Sequence, residues 1–416
     1  MKVAIIGGGI SGNAAAYYLH PKHDITLFEA GSHLGGHTHT HDLEWEGEKL
    51  AIDTGFIVFN DRTYPLFNHL LGDLKVPIQK TQMSFSVANN KTGVEYNGHS
   101  LSSLFAQRRN VFNPRFLLML KDIVRFNRQA RRLSHTLQGS LSLGELLIQQ
   151  NYGAQFINNY ILPMGAAIWS TDPDTMLKFP ARFFIRFFEH HGLLDLKNRP
   201  QWYVVSQGSA RYVEAMAEGY KHRVQLNTVI ESVQRQDNGV MVKPINQPAQ
   251  QFDRVIMATH SNQSLQILGH GATPKERQVL SAIPYQTNEV VLHTDASLMP
   301  RNRRAWAAWN YHINQQQASS RATVTYHMNC LQGLHSLQDF FVSLNASELI
   351  APSKVIKTLH YEHPVFTPEG VDMQQQQHLL NTGPIYYCGA YWGKGFHEDG
   401  VASALDAIGH MEDQHA

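Results

Sequence analysis

The chain has 416 residues, a net charge of +1 and two cysteines, Cys330 and Cys388. That length exceeds one compact core and predicts two domains, and the near-neutral charge leaves no field to gather nucleic acid. Two unspaced cysteines exclude a disulfide framework or a zinc ribbon, and no run of 18 apolar residues offers a membrane span.

In chain order, Val3 to Gly12 reads V-A-I-I-G-G-G-I-S-G, and Asn13 to Leu19 follows as a helix former. The four apolar residues predict a buried strand. Gly7, Gly9 and Gly12, spaced G-x-G-x-x-G, fall at its junction with the helix. Gly7 suits the tight turn, Gly9 the approach of a pyrophosphate, and Gly12 close packing of helix on strand. Ile10 and Ser11 open the helix, whose free N–H groups favour phosphate. Only four apolar residues separate Lys2 from the glycines, so this start reads as a folded strand rather than a signal peptide. The expected compartment is the cytoplasm. Asp24 to Glu29 reads as a second strand. Glu29 stands 17 residues past Gly12, the spacing of a ribose-binding carboxylate, and an acid there argues against a 2′-phosphate. Ala30 leads to a second glycine pair, Gly35-Gly36, and to His37. Alternation would put His37, His39 and His41 on one strand face. No carboxylate has diagnostic spacing to them, so no metal is expected. In Asp53-Thr54-Gly55, an ordinary turn would need Gly55 at positive φ.

Leu101 to His135 is helical in pattern, broken at Pro114. Eight Lys and Arg face one acid, Asp122, across this stretch. Such a basic amphipathic segment predicts peripheral membrane contact through Arg125, Arg128, Arg131 and Arg132. Ser142 to Leu147 reads as a capped helix start. The Phe, Trp, Met and Leu between Tyr160 and Phe188 predict a thick core or an apolar substrate cavity. Val224–Leu226, Val229–Val233, Gly239–Val242 and Phe252–Thr259 read as strands. So do Glu289–Asp295, Ala305–Tyr311 and Ala322–Tyr326, with Trp306, Trp309 and Tyr311 as a candidate floor for substrate. His363, before Pro364, is expected in a solvated loop. Ile385 to Gly389 reads as a strand, then a glycine loop through Gly400, then a helix over Val401–Ile408.

The glycine pair after the ribose acid resembles the extended FAD fingerprint of the amine oxidase, phytoene desaturase and protoporphyrinogen oxidase superfamily, which has Arg where this chain has His37. Phe252–Thr259 is similar to that superfamily's D-x-V-I-x-A-T strand. Trp202–Ser209 resembles its G-G-x entry to a second helix, with Gln207 replacing the first glycine. The closing strand, glycine loop and helix resemble its C-terminal flavin signature. The resemblance implies FAD, with Thr54 and Gly55 under the ring, Val229 and Thr259 toward the nucleotide, Gly389 and Asp399 at the ribityl or phosphate region, and backbone N–H groups of Gly400 and Val401 at the ring. His397 joins the candidate substrate residues. The implied fold is α/β, with a Rossmann-type FAD-binding domain from residues 1–60, 200–275 and 380–416. A second, mixed-sheet domain with helices would take 61–199 and 276–379. Many amine oxidases place a lysine on the strand that reads Asn288-Glu289-Val290-Val291-Leu292-His293 here. The stretches G-G-H-T-H-T and G-x-G-F-H-E-D-G are more similar to bacterial flavoproteins associated with cyclopropane fatty acid synthases, some of which desaturate methyl-branched acyl chains of phospholipids. The resemblance therefore implies an FAD-dependent oxidoreductase taking a hydride from an apolar substrate, a fatty acyl or phospholipid chain. Its alternatives are a flavin amine oxidase and a non-catalytic flavoprotein partner of a lipid-modifying enzyme.

Overall fold

The computed structural model describes residues 1–137, 141–195, 198–313 and 323–413. Lys2–Ile6 is the centre of a five-stranded parallel sheet, in the order Val224–Gln225, Asp24–Phe28, Lys2–Ile6, Arg254–Met257, Ile385–Tyr387. Val3 to Ile6 are buried because this strand has neighbours on both edges and helices on its faces. Ile10–Leu19 leaves the sheet at the glycines, and Ala14, Ala15 and Ala16 are fully buried against it. The last helix, His397–Asp413, crosses it: a Cβ on Gly400 would stand 2.7 Å from Ile10 Cγ2, so only glycine permits this contact. An antiparallel meander, Ile230–Gln236, Gly239–Pro244 and Gln250–Phe252, adjoins the sheet.

The second sheet has seven strands, in the order Val355–Pro364, Tyr285–His293, Phe341–Leu344, Thr323–His327, Trp309–Ile313, Phe85–Asn89, Val94–Asn97. It is mixed: Trp309–Ile313 runs parallel to Phe85–Asn89, and the other pairs are antiparallel. Helices Pro114–Thr136, Leu143–Gln149 and Ala181–His190 share one apolar core with this sheet. Pro114 starts the long helix rather than breaking one: it occupies the first turn, where its missing N–H is harmless, and Asn113 caps it. Ser142 and Glu145 form the reciprocal cap expected of the next helix.

Three local readings are corrected. The strand expected from Ala305 begins at Trp309, because Arg303–Ala305 closes a 3-10 turn capped by the Asn302 side chain. The last helix starts at His397, four residues before Val401. The strand carrying the early histidines begins at Thr40, so His37 and His39 lie in the loop before it. The rings of His39 and His41 still meet at 4.2 Å, but His37 packs elsewhere.

Candidate active site

The first glycines form a cradle. Gly7 has φ +104°, and a Cβ there would lie 2.7 Å from the Ala258 carbonyl oxygen. A Cβ on Gly12 would fall 1.8 Å from the Gly7 oxygen. Gly9 differs, since a Cβ would meet nothing within 4 Å. It is the N-cap of its helix and supplies no side-chain cap, so the first amides of Ile10 and Ser11 lack an intrahelical or side-chain partner. Asn13 fixes the turn by donating to the Gly8 and Gly9 carbonyls. The Glu29 carboxylate accepts from Gly8 N–H at 2.6 Å and Gly31 N–H at 2.7 Å, one on each oxygen, and keeps a second lone pair on each. Gly35 and Gly36 adopt positive φ, and Gly35 N–H donates to the Gly8 carbonyl, closing the second glycine turn over the first. Ala30 continues from Glu29 at the rim. Thr259 bonds Ser264 beside Gly7, and Val229 lies partly exposed at the far edge, its carbonyl accepting from Ile245. An open, amide-lined space at a helix start, with an acid behind it, fits the diphosphate and ribose of a dinucleotide.

The other end of the cradle comes from the last helix. Gly389 hydrogen-bonds Ser403 through both its N–H and its carbonyl, setting that helix beside the closing strand. Gly400 N–H is spent on the Phe396 carbonyl, and Val401 is fully buried. The Gly400 amide is thus engaged within the chain, where the expectation had it free for a ring. Helix geometry leaves the N–H groups of His397, Glu398 and Asp399 without intrahelical partners. The Asp399 carboxylate accepts from Phe396 N–H at 2.9 Å, capping the helix. Glu398 caps a different helix, Pro65–Asp73, accepting from Leu66 and Phe67 N–H at 2.9 Å each.

Around this helix start sits a buried polar network. His397 Nε2 lies 2.9 Å from Thr38 Oγ1 and 3.0 Å from the Tyr212 hydroxyl, and its ring stacks on Phe56 at 3.5 Å. Burial holds this imidazole neutral, far below the usual histidine range. Thr54 Oγ1 reaches His41 Nε2 and the Tyr361 hydroxyl. Gly55 does not have positive φ; it is glycine because a Cβ would stand 1.9 Å from the His37 oxygen. His37 packs on Tyr361 at 5.0 Å, His363 at 5.2 Å and His260 at 6.0 Å. Burial first, then mutual repulsion, lowers His37 and His260 to about 4 and His363 to about 3. His363 is not in a solvated loop. It lies on the strand Val355–Pro364, paired with Gln286, and Asn288 Nδ2 is 3.0 Å from its Nδ1. Asn288, Tyr361, His260 and Tyr212 were not singled out from sequence; the i, i+2 spacing of Tyr361 and His363 was the available signal. Among the described residues no group of three His, Cys, Asp or Glu is placed to hold a metal.

The candidate aromatic floor divides. Trp309 and Tyr311 share a strand face, and Trp309 meets Tyr326 edge-on at 5.0 Å. Trp306 turns away: its Nε1–H donates to the Pro300 carbonyl and its ring packs on Arg303, His327 and Phe341. A different aromatic route reaches the helix start. Phe396 meets Phe187 at 5.2 Å, Phe187 meets Trp169 at 4.7 Å, and Phe183 meets Phe366 at 5.0 Å. A cavity of about 450 Å³ opens beside Phe396, between Arg62, His190, Lys394 and Glu398. Of the basic residues expected at a membrane, Arg125 is tied to Asn151, Asp122 and the Tyr152 ring, and Arg131 to Leu194 and Asp195; Arg128 and Arg132 are exposed. No helix among the described residues is long and apolar enough to cross a membrane.

The family model for flavin containing amine oxidoreductases matches residues 10–302. A comparison with curated protein sequences returns no match. Among solved structures, putrescine oxidase bound to putrescine is similar at 15% identity and a TM-score of 0.68, covering 99% of each chain. Cyclohexylamine oxidase from Brevibacterium oxydans IH-35A is similar at 14% identity and a TM-score of 0.70, covering 100% of this chain and 99% of the other. A fatty acid isomerase from P. acnes that produces CLA is similar at 15% identity and a TM-score of 0.66, covering 98% and 97%. With two glycine turns, an acid and a helix start arranged for a dinucleotide, the chain belongs to the flavin containing amine oxidoreductase family and is an FAD-dependent oxidoreductase.

Proposed function

We propose that this oxidoreductase takes a hydride from an apolar substrate, a fatty acyl or phospholipid chain. The carrying observation is the cluster of aromatic side chains that packs up to Phe396, next to the helix start. Phe187, Trp169, Phe183 and Phe366 extend it, and the histidines of the neighbouring network are neutral. Aromatic side chains of this kind hold hydrocarbon by excluding water. FAD, when bound, supplies the hydride acceptor. The chain's part is to orient and to stabilise: the amides of His397, Glu398 and Asp399 would offer positive dipole to the negative charge of a reduced flavin. Asn288 stands on the strand where many amine oxidases carry lysine, and it is engaged with His363. The fold alone is neutral on substrate, since its neighbours include amine oxidases and a fatty acid isomerase.

An amine substrate is favoured by the carboxylates of Glu189, Glu398 and Asp399 in the cavity beside Phe396. The two readings separate in one experiment. The oxygen-free holoprotein is mixed with a bacterial phospholipid extract or with a panel of amines while flavin absorbance is followed. Bleaching by lipid alone supports the acyl reading; bleaching by amines alone overturns it. Bleaching by neither, with flavin bound, points to a protein that holds flavin for a lipid-modifying partner.

A further inference from the structure

The helical segment before and within Pro114–Thr136 carries large apolar side chains in water. Phe112 is 86% exposed, Leu101 77% and Leu118 58%, and Val111, Leu117 and Val124 are nearly half exposed. Single exposed leucines are ordinary, but a contiguous set is not. Leu117, Leu118, Lys121 and Val124 recur at helical spacing on one face, opposite the buried Phe116, Met119, Phe126 and Ala130. Val111 and Phe112 end the 3-10 turn that leads into this helix. Arg108 donates to the Ser102 and Phe105 carbonyls and so pins the short helix Leu101–Leu104, with Leu101, beside that turn.

Charge on this face has one sign. Arg108, Arg109, Arg115, Lys121 and Arg128 are exposed around the apolar side chains. The single acid between residues 101 and 136, Asp122, is paired with Arg125 and accepts from Gly153 N–H. Apolar side chains ringed by uncompensated cations match the layering of an anionic bilayer, acyl chains beneath phosphates. We infer that this face docks on an anionic phospholipid bilayer, with Leu101, Phe112, Leu117 and Leu118 entering the interface and the flanking cations meeting phosphate. It lies toward the N-terminal end of the long helix, not at Arg125 and Arg131, which hold other parts of the chain. The inference deepens the acyl-lipid reading by placing the enzyme at its substrate pool, yet exposure and charge carry it independently.

The test is co-sedimentation of the FAD-loaded protein with phosphatidylcholine vesicles, with and without phosphatidylglycerol. The protein should sediment with the anionic vesicles and less so as salt rises. Phe112→Asp with Leu118→Asp should lower vesicle partitioning by at least about tenfold, and Arg115→Glu with Lys121→Glu by a similar factor. Leu337→Asp changes a fully exposed leucine elsewhere and should bind as the parent does. Retained flavin absorbance shows that each variant is folded. No sedimentation of the parent protein, or unchanged sedimentation of Phe112→Asp with Leu118→Asp, overturns the proposal. So does a parent dimer in sedimentation velocity that this variant converts to monomer without any vesicle binding, because the face then belongs to a second copy. Detergent-dispersed phospholipid separates docking from substrate: vesicle binding without flavin bleaching sinks the acyl reading and leaves the docking face standing.

Discussion

Gly9→Val tests the cofactor cradle without disturbing the fold that surrounds it. Gly9 has φ −72° and ψ −172°, a conformation open to any residue, and its Cβ direction is empty to 4 Å. Valine is a poor N-cap, so the apoprotein should lose roughly 1 kcal/mol. The flavin should suffer far more. Displacing a diphosphate from two helix-start amides forfeits charge-assisted hydrogen bonds of about 1.5–3 kcal/mol each, a drop of at least ~100-fold in affinity. Gly12→Ala is the contrast: its methyl would sit 1.8 Å from the Gly7 oxygen, so the strand–helix crossing must open. That overpacking costs about 1–3 kcal/mol or more, and it strikes apoprotein and holoprotein alike. Flavin absorbance after desalting reads occupancy, and circular dichroism melts of apoprotein read the fold. Gly9→Val purifying with a full flavin complement would refute the cradle. An apoprotein that melts as badly as Gly12→Ala would refute the claim that the space at Gly9 is kept for a ligand.

The buried histidines predict acid sensitivity. His37, His260 and His363 are lowered in the fold, so the unfolded chain binds protons first, and stability should fall as pH drops from about 6.5 toward 4, by about 3 kcal/mol for one imidazole fully protonated and less than additively for the three. Asp53, raised by burial to about 6, works the other way and gains as pH falls through that window, but one carboxyl does not offset three imidazoles; a urea midpoint constant across the window contradicts this. Glu29→Gln removes the charge that would accept from the ribose hydroxyls and should cost about 1.5–3 kcal/mol in flavin affinity; unchanged affinity by titration removes Glu29 from the site. Gln207 holds φ +63°, so Gln207→Gly should raise stability by up to about 1 kcal/mol. Gly208→Ala, at φ +92° with its methyl 2.4 Å from Thr40 Cγ2, should lower it; melts that rank the two the other way defeat the strain argument.

The cofactor cradle was legible because its chemistry is contiguous. Strand, turn and helix lie within Lys2–Leu19; Gly12 answers a contact inside that unit, Gly7 one with Ala258, and Gly9 leaves space open. The start of the last helix was not legible for the opposite reason. His397-Glu398-Asp399 after three glycines reads as a polar loop, and Val401 is the first clear apolar residue. The structure begins the helix earlier because both acids have places: Asp399 closes its own N-terminus, and Glu398 closes that of Pro65–Asp73. No local pattern announces a cap supplied from the far end of the chain.

The same division separates cofactor from substrate. Proline after His363 made a loop the natural local reading. Pairing with Tyr285–His293 instead extends the strand to Pro364 itself and turns His363 toward Asn288 and His37. The apolar route is assembled likewise, from Trp169, from Phe183 and Phe187 on one helix, from Phe366, and from Phe396. Each ring on its own is an ordinary core residue, and their spacing in sequence encodes nothing about their meeting. A diphosphate is held by backbone amides and a short glycine rhythm, which must be written locally. A hydrocarbon is held by shape, which any set of large side chains can build from distant segments. For this fold, therefore, FAD can be read from a dozen residues, whereas a substrate pocket built from distant segments cannot be read from any one stretch.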